Sequence, residues 1–367
     1  MSNQKINAGI IGATGMVGQR FITLLANHPF FNISVLAASP RSAGKKFADT
    51  VEGRWKMPVA IPENVKDMIV LDASDVEKVS GMCDFVFSAV DMTKDEIKKL
   101  EEAYAKSETP VVSNNSACRN LVDVPMLIPE INASHIEVIE AQKKRLGTKT
   151  GFVAVKPNCS IQSYVPMLTP LLKFGIKEVV VSTYQAISGA GKNFEDWPEM
   201  IDNVIPYIGG EEEKSEKEPM KIWGSVKNGT IENAQSPVIT SQCIRVPVTD
   251  GHLATVFVKF ENPSKKPSKE EILKLWKEFK GEPQELDLPS APKQFIHYFE
   301  EDNRPQTKPE RDLENGMAIT AGRLREDSSG VYDYKFVGLS HNTVRGAAGG
   351  GVLSAELLYK KGLIIKK

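Results

Sequence analysis

The sequence predicts a two-domain protein, in which an α/β domain with a parallel, doubly wound sheet precedes an α+β domain with a mostly antiparallel sheet. The chain has 367 residues, more than one hydrophobic core usually serves, so two domains are expected. Short apolar runs alternate with helical patterns over residues 1–155, which is typical of parallel sheets. Longer strand patterns follow in residues 156–342. We therefore expect the domain boundary near residue 155, with residues 343–367 returning to complete the first domain.

The individual elements follow from hydrophobic periodicity and turn residues. Strands are expected at Ile6–Ile11, Ile33–Ala38, Met68–Leu71, Phe85–Val90, Pro110–Ser113 and Phe152–Val155, and in the second domain at Val179–Tyr184, Val238–Val246 and Thr255–Lys259. Helical patterns cover Gln19–Asn27, Lys94–Lys106, Ile161–Phe174 and Thr343–Tyr359. The last of these helices is expected to pack against the first domain.

Composition and charge argue against several classes of function. Apolar residues make up 41% and charged residues 25% of the chain, and the formal net charge is −1. Without a block of Lys or Arg, nothing favours a nucleic-acid or membrane partner, and no apolar run reaches the roughly 18 residues of a membrane span. Cys83, Cys118, Cys159 and Cys243 have neither CxxC spacing nor a disulfide pattern, so no metal is expected. With no signal peptide in front of the first strand, we expect a reducing, cytoplasmic location.

A glycine-rich turn connects the first predicted strand to the first helix. Gly12, Gly15 and Gly18 stand at GxxGxxG spacing, where backbone N–H groups and a helix dipole favour a bound pyrophosphate. The spacing alone is weak, because glycines at such intervals also serve only as turns. Its position after a strand and before a helix favours a Rossmann-like, dinucleotide-binding domain.

The end of the second predicted strand indicates which dinucleotide is bound. An NAD enzyme usually places an acid about 20 residues past the glycines to hold the ribose 2′-hydroxyl. Here the sequence is Ser39-Pro40-Arg41-Ser42, in which a guanidinium and two hydroxyls suit a 2′-phosphate. A solvated polar loop is the alternative. The sequence therefore favours NADP over NAD.

Cys159 and His252 are candidates for covalent catalysis. Cys159 follows a strand and begins a helical pattern, and a helix N-terminus lowers the pKa of a thiol and can hold an oxyanion. His252 follows an Asp-Gly turn at the start of a strand, with Arg245 seven residues before it. A Cys–His pair would carry out nucleophilic and acid–base chemistry. A buried structural Cys and a structural His are the alternatives, and the sequence does not show that the two residues meet. Arg119 lies in a loop at the carboxyl edge of the first sheet and could face the cofactor or the surface.

Several stretches together resemble the aspartate-β-semialdehyde dehydrogenases, and the archaeal and fungal branch more than the typical bacterial one. The resemblance covers essentially the whole chain. It is carried by Gly12–Phe21, Ala38–Lys46, Pro157–Ser160, Gln185–Gly191, Ile208–Lys214, Arg245–His252 and His341–Gly349. Two segments that border the expected pocket depart from the family pattern, namely Lys192–Pro198 and Ser160–Gln162.

The resemblance implies a role for each matching position. Cys159 would be the nucleophile that forms a thioester, His252 the general acid/base, and Gln185 the residue that orients the intermediate. Substrate groups would be bound by a second set: the carboxylate by Arg245, the amino group by Glu211, and phosphate by Arg119 and Lys214. NADP would contact Gly12, Thr14, Gly15, Met16, Val17, Gly18, Ser39, Arg41, Ser42, Ser188, Gly189 and Asn342.

The implied reaction is the reductive dephosphorylation of β-aspartyl phosphate by NADPH, which yields aspartate semialdehyde and inorganic phosphate on the route to lysine, threonine and methionine. The resemblance also implies a homodimer or homotetramer, for which the open face of the second sheet is a candidate surface. Two alternatives remain. One is an acyl-CoA reductase such as malonyl-CoA reductase, whose relatives differ around Asn115–Arg119. The other is a non-catalytic NADP-binding module, which would need none of Cys159, Gln185, Arg245 and His252.

Overall fold

The computed structural model describes residues 4–367, which form two six-stranded sheets and one short hairpin. The first sheet contains β1 (Ile6–Ile11), β2 (Phe31–Ala38), β3 (Leu71–Asp72), β4 (Phe85–Ser88), β5 (Val111–Ser113) and β6 (Val153–Val155). Later strands are β7 (Ile176–Gln185), β8 (Ser225–Lys227), β9 (Thr230–Glu232), β10 (Val238–Arg245), β11 (His252–Phe260), β12 (Ile296–Phe299), β13 (Ile319–Glu326) and β14 (Tyr334–Ser340).

Helices of very different length connect these strands. The α-helices are α1 (Met16–Leu25), α2 (Phe47–Val51), α3 (Glu63–Lys66), α4 (Val76–Ser80), α5 (Lys94–Lys106), α6 (Pro129–Asn132), α7 (Ile139–Leu146), α8 (Val165–Leu168), α9 (Glu211–Ile222), α10 (Lys269–Glu278), α11 (Glu282–Glu285), α12 (Thr307–Glu310), α13 (Leu313–Gly316) and α14 (Gly349–Lys360). Short 3-10 segments cover Ala133–Val138, Ser160–Ser163, Thr169–Phe174, Ile187–Ala190, Pro198–Met200 and Pro263–Lys265, and a π-helical turn covers Val344–Ala348.

The first sheet is parallel throughout, with the strand order β3-β2-β1-β4-β5-β6. This is the order of a doubly wound dinucleotide-binding sheet, so the predicted Rossmann-like fold is confirmed. The strand order reverses between the neighbouring strands β1 and β4. Folds of this kind bind their ligands in the crevice at the carboxyl ends of the strands at this point. The glycine turn after β1 opens at this edge.

The second sheet is mixed, with the order β10-β7-β11-β14-β13-β12. Three of its five pairings are antiparallel and two are parallel, in agreement with the mostly antiparallel sheet that was predicted. Side chains along β11 alternate between buried and half-buried positions from His252 to Phe260. One face of the sheet therefore carries the core of this region and the other face is partly open.

The C-terminal helix α14 packs against the first domain, as expected. Val352, Ala355 and Leu358 are fully buried in the same apolar cluster as Phe21 of α1. The approach is close, because a Cβ atom on Gly351 would lie 3.0 Å from the Phe21 ring. The turn that precedes α14 instead reaches the residues at the end of β6.

The segment after Cys159 differs from the single helical pattern that was predicted. It consists of three short pieces: a 3-10 turn at Ser160–Ser163, α8, and a 3-10 segment at Thr169–Phe174. Pro166 and Pro170 stand at the second positions of the second and third pieces, and the helix is interrupted there because proline lacks the N–H that a continuing helix needs. Within residues 4–367, no helix combines the length and the apolar character that crossing a bilayer takes.

Candidate active site

Cys159 and His252 meet where the two sheets adjoin. Cys159 lies four residues beyond the carboxyl end of β6, and His252 is the first residue of β11. The Cys159 Sγ atom is 3.4 Å from the Nε2 atom of His252. The sulfur is half-buried, whereas the imidazole is completely buried. The structure thus brings together two residues that the sequence could only suggest as partners.

The surroundings of Cys159 do not lower the pKa of its thiol as the sequence suggested. Burial is the largest influence and raises the pKa above its usual value, and the Glu211 carboxylate acts in the same direction. The positive charges of Lys156 and Arg119 oppose both. The expected helix dipole is small, since only a four-residue 3-10 turn begins at Ser160. The prediction of a thiol activated by a helix terminus is therefore wrong.

His252 is held by backbone and by charge. Its Nδ1 atom accepts a hydrogen bond of 3.0 Å from the backbone N–H of Ala186. The backbone carbonyl of Ala186 accepts a hydrogen bond of 2.6 Å from Nη1 of Arg245. Burial and the neighbouring Arg245 hold the pKa of His252 well below its usual value. Ala186, the residue after β7, therefore connects the imidazole to the guanidinium.

Asn158, which precedes the nucleophile, is fixed by the first turn of α9. Its side-chain Nδ2 donates to both carboxylate oxygens of Glu211, at 2.9 and 3.0 Å. Glu211 also accepts from Gln185 Nε2 at 3.3 Å and from Lys214 Nζ at 2.8 Å. The Oδ1 atom of Asn158 accepts from the N–H of Ser160 at 2.7 Å. Two predicted site residues, Gln185 and Lys214, thus share the carboxylate of a third, Glu211, with the amide of Asn158.

The same helix holds Arg119 through Glu218, which was not predicted. Glu218 accepts from Arg119 Nη1 at 2.9 Å and from the backbone N–H of Asn158 at 2.5 Å. One turn further on, Lys221 Nζ donates to the carbonyls of Arg119 at 2.7 Å and Leu121 at 2.6 Å. Glu211, Glu218 and Lys221 share one face of α9. Starting from Glu211, the helical period of 3.6 residues would therefore have predicted that Glu218 and Lys221 face the same side.

A buried cationic cluster lies beneath the nucleophile turn and was also missed. Lys156 is 2% exposed, its Nζ donates to the carbonyl of Pro157, and no carboxylate lies within 4.0 Å of it in residues 4–367. Burial lowers the pKa of Lys156 to about 7. Nearby, Arg345 forms a fully buried bidentate pair with Glu130, at 2.7 and 2.5 Å, and donates to Gln162 at 3.2 Å.

Gly346 touches the nucleophile directly. A Cβ atom at this position would lie 2.7 Å from the Cβ of Cys159 and 3.1 Å from its Cα. Ala347, in the same π-helical turn, has φ −140° and ψ −108°, outside the helical region. Departures of this kind often occur at functional sites. The turn before α14 therefore forms one wall of the site.

The predicted pyrophosphate turn has the close backbone packing that such a site requires. Gly12 has a φ of +84°, and a Cβ atom there would lie 2.3 Å from the Ala89 carbonyl oxygen. A Cβ atom on Gly18 would lie 2.2 Å from the Gly12 carbonyl oxygen. Glycine is therefore needed at both positions for the turn and for the packing of α1 on β1. Met16, Val17 and Gly18 form the first turn of α1.

A crevice of about 570 Å³ opens in front of this turn. It is lined by Gly12, Thr14, Gly15, Ser39, Arg41 and Ser42 of the predicted cofactor residues, together with Lys45. Arg41 is exposed and forms no ion pair within residues 4–367, so its guanidinium is free to meet an anion. These residues fit a nucleotide that carries a 2′-phosphate.

The remaining three predicted cofactor residues lie on the catalytic side. Asn342 Nδ2 donates to the Ser188 hydroxyl at 2.8 Å, and Asn342 Oδ1 accepts from the N–H of Gly251 at 2.8 Å. A Cβ atom on Gly189 would lie 2.9 Å from Arg245 Nη1 and 3.1 Å from His252 Cε1. Ser188, Gly189 and Asn342 thus border the imidazole and not the nucleotide crevice.

A wider cavity of about 1120 Å³ adjoins the site on the side of α9. Arg119, Lys214 and Glu218 line it, but Cys159 does not. The Nε atom of Arg119 is buried without a hydrogen-bond partner. Among residues 4–367, no group of three or more His, Cys, Asp and Glu side chains is placed to hold a metal ion.

Known proteins share both the sequence and the fold of this chain. The sequence models of two families match, "Semialdehyde dehydrogenase, NAD binding domain" over residues 7–139 and "Semialdehyde dehydrogenase, dimerisation domain" over residues 168–345. An aspartate-semialdehyde dehydrogenase from Schizosaccharomyces pombe is 44% identical over 362 residues, covering 97% of this chain and 98% of the relative. The chain belongs to the aspartate-semialdehyde dehydrogenase family.

The predicted position within the aspartate-semialdehyde dehydrogenase family is confirmed as well. The enzyme from the archaeon Methanothermobacter thermautotrophicus is 42% identical over 354 residues, covering 96% of this chain and 99% of the relative. The crystal structure of the Candida albicans enzyme with NADP superimposes with a TM-score of 0.87 at 39% identity, covering 98% and 100% of the two chains. The chain is thus an oxidoreductase of this family, and its dimerisation domain indicates a homo-oligomer.

Proposed function

We propose that the chain reduces β-aspartyl phosphate to aspartate semialdehyde with NADPH and releases inorganic phosphate. The observation that carries this proposal is the 3.4 Å approach of Cys159 Sγ to His252 Nε2 in a site that also holds Arg245 and Glu211. A nucleophile, an imidazole, a cation and an anion suit an amino-acid substrate that forms a thioester. The product aldehyde then enters the synthesis of lysine, threonine and methionine.

Arg245 and Glu211 bind the two ends of the amino acid in this proposal. Arg245 is 5% exposed and meets a carboxylate as a planar fork, which favours a carboxylate over a neutral group. Burial would raise the pKa of Glu211, but Lys214, Asn158 and Gln185 outweigh it, so the net pKa is lowered. Glu211 therefore stays ionised at neutral pH and is able to receive an ammonium group.

Arg119 and Lys214 bind the phosphate. Both line the cavity beside α9, and the buried Nε of Arg119 has no hydrogen-bond partner within residues 4–367. Glu218 holds the guanidinium on its other side, which fixes the direction of the free donor. An acyl phosphate that reaches this pair presents its acyl carbon to the Cys159 turn, because Glu218 joins that turn to Arg119.

Cys159 attacks the acyl carbon, so that a carbon–sulfur bond forms and the bond to phosphate breaks. Gln185 is 1% exposed and donates to Glu211, from where it orients the substrate against the sulfur. The thioester must be kept from water, and the turn around Gly346 packs closely against the Cβ and backbone of Cys159. His252 faces the oxygen of the intermediate from the other side.

The crevice after β1 would hold NADP, which would supply or accept hydride at the substrate carbon when bound. Thr14 to Val17 and the adjoining glycines hold the pyrophosphate, while Ser39, Arg41 and Ser42 hold the 2′-phosphate. Ser188, Gly189 and Asn342 border the imidazole and would contact the nicotinamide end.

The oligomer forms through the second domain, which we place at residues 156–342, with residues 1–155 and 343–367 forming the first. The open face of the sheet around β11 carries half-buried Leu253, Thr255 and Phe257, a surface suited to a second copy. A homodimer is the smallest assembly that covers this face, and a tetramer would pair two such dimers. The four free thiols favour the cytosol, where disulfides are rare.

The test is oxidation of aspartate semialdehyde by the purified enzyme, with phosphate and NADP present, compared between the wild type and Cys159→Ala. We expect activity only in the wild type and only with phosphate. Coenzyme A in place of phosphate distinguishes an acyl-CoA reductase, for which activity would follow the thiol and not the anion. An inactive wild type, or equal activity of the two proteins, contradicts the proposal.

A further inference from the structure

A buried acid lies behind the loop that carries Arg119. Glu101, on α5, is 0% exposed, and within residues 4–367 no Lys, Arg or His nitrogen lies within 4.0 Å of its carboxyl group. Its neighbour Glu102 differs, because it is only half-buried and pairs with Arg145 at 3.0 Å. Burial raises the pKa of Glu101 above its usual value. An acid buried without a counter-charge costs folding free energy, so its role has to be sought in its hydrogen bonds.

The contacts of Glu101 join the ends of two neighbouring strands. Its Oε1 atom accepts a hydrogen bond of 2.5 Å from the hydroxyl of Ser113, the last residue of β5, and one of 3.1 Å from Asn115 Nδ2. The same amide nitrogen donates at 3.0 Å to the hydroxyl of Ser88, the last residue of β4. The Ser113 hydroxyl also accepts from the backbone N–H of Asn115 at 3.0 Å. Glu101 therefore holds the two residues on either side of Asn114.

Asn114 connects this arrangement to Arg119. The N–H of Asn114 donates to the Ser88 carbonyl at 2.9 Å, and its carbonyl accepts from Arg119 Nη2 at 3.1 Å. The other terminal nitrogen of Arg119, Nη1, donates to Glu218 at 2.9 Å. One contact comes from the loop and the other from α9, and together they fix the plane of the guanidinium.

We propose that Glu101 is a positioning residue for the phosphate step, because it fixes the carbonyl that holds Arg119. This inference rests on the proposed function, in which Arg119 and Lys214 bind phosphate. Glu101 is completely buried, so it acts through the loop and not by contact with the substrate. Without its Oε1 atom, Ser113 and Asn115 lose their common acceptor, and the carbonyl between them is no longer held in one direction.

The path from Glu101 to Arg119 predicts which kinetic constant changes. Arg41 in the nucleotide crevice and Arg245 beside the imidazole have no hydrogen bond to Glu101, Ser113 or Asn115 within residues 4–367. Loss of Glu101 should therefore raise the KM for phosphate and change the KM for NADP and for aspartate semialdehyde much less. A general loss of structure would affect all three constants.

Steady-state kinetics of the whole enzyme compares Glu101→Met with Glu101→Gln. Methionine has a similar shape and no oxygen, whereas glutamine keeps a carbonyl acceptor. We expect the KM for phosphate to rise by about 10–100-fold in Glu101→Met, the effect of losing one charge-assisted contact, and by no more than about threefold in Glu101→Gln. Glu102→Gln, one residue along α5, should leave it unchanged. An unchanged KM for phosphate in Glu101→Met, or an equal rise in all three constants, would overturn the proposal.

A second variant interrupts the same path from the loop. Asn115→Ala removes the bonds to Glu101 and Ser88 and leaves the acid in place. Because both substitutions act on one carbonyl, their effects on the KM for phosphate should not add in the double variant. Additive effects would overturn the proposal. If Glu101→Met does not fold, Asn115→Ala decides alone: a selective rise in this KM supports the proposal, and no rise overturns it.

Crystal structures of the wild type and of Asn115→Ala measure the guanidinium without recourse to activity. We expect Arg119 Nη2 to contact the Asn114 carbonyl in the wild type and to be released from it in the variant. An unmoved Arg119 would overturn the inference even where the wild type oxidises aspartate semialdehyde with phosphate. A wild type that needs no phosphate would contradict the proposed function instead, whatever position Arg119 takes.

Discussion

The nucleotide crevice and the catalytic pocket are built on different principles. The crevice is formed by backbone: Gly12 and Gly18 let chain segments approach to distances that a Cβ atom would block. Arg41, one of the cations that line it, is exposed and forms no ion pair within residues 4–367. The pocket is formed by buried side chains that hold one another. Asn158, for example, contacts Glu211 through its side chain and Glu218 through its backbone.

This difference sets how each region should respond to change. In a crevice shaped by backbone, substitution of an exposed side chain should leave the fold intact. It should weaken only the binding of the ligand group that this side chain contacts. A network of buried charges loses more when one member is removed, because the partner is left uncompensated in a medium of low dielectric. Substitutions in the two regions measure the contrast.

The largest effect is expected from Glu130→Gln, beneath the pocket. The pair between Glu130 and Arg345 is 0% and 1% exposed at its side chains, so the variant leaves a buried guanidinium without its counter-charge. We expect the free energy of unfolding to fall by about 3–5 kcal/mol. Urea unfolding measures this. The matched control is Asp67→Asn, which removes the exposed pair with Lys46 and should leave the free energy of unfolding essentially unchanged.

Lys156→Met should stabilise the protein, and the gain should depend on pH. The folded pKa of Lys156, about 7, lies below the usual 10.5, so its buried charge destabilises the wild type fully below pH 7. That cost fades as the pH rises from about 7 to about 10.5. We expect the variant to exceed the wild type by on the order of 2–4 kcal/mol at pH 6 and by little at pH 10. A difference that does not vary with pH would show that Lys156 is solvated or paired.

Gly346→Ala should reduce activity far more than stability. The added methyl group would push the Cys159 turn aside, and a displacement of about 1 Å costs on the order of 100-fold in rate. Comparison of kcat with the thermal midpoint separates the two effects. Gly81→Ala is the control, since its Cβ would meet only atoms at 3.4 Å or more and lies far from the site along the chain. Full activity of Gly346→Ala would mean that the wall beside the sulfur is loose.

The smallest effect is expected in the crevice, from Arg41→Ala. Loss of one charge-assisted contact should raise the KM for NADP by about 10–100-fold, with little change for NAD. Lys46→Ala, which removes an exposed cation outside the crevice, should change neither value. An equal rise for both nucleotides would remove Arg41 from the 2′-phosphate site.

The sequence predicted the fold through features that are local. One short segment contains a strand, Ile6–Ile11, a turn at Gly12 and a helix that begins at Met16. The amino-acid sequence of this segment alone indicates these elements and their order. The strands β12, β13 and β14 were not predicted. In the second sheet β14 pairs with β11, β13 with β14 and β12 with β13, so the placement of these strands depends on tertiary pairing and not on a local period alone.

Site residues that belong to recognisable sequence motifs were predicted. Residues whose role depends on being buried were missed. Cys159 and His252 stand in recognisable contexts, but their approach depends on the end of β6 lying beside the start of β11. Glu218 and Lys221 could have been found from the helical period after Glu211. Lys156 could not, because a lysine beside a proline gives no sign that it is buried without a carboxylate.

The position of the turn at residues 344–348 in the chain has a consequence for how the enzyme folds. This turn is translated long after the cysteine that it confines, and α14, which follows it, closes the first domain. Until residues 344–360 have been made, the Cys159 turn lacks its packing partner and the first domain lacks α14. We therefore expect the site to form late in folding, because its closure joins segments far apart in the chain.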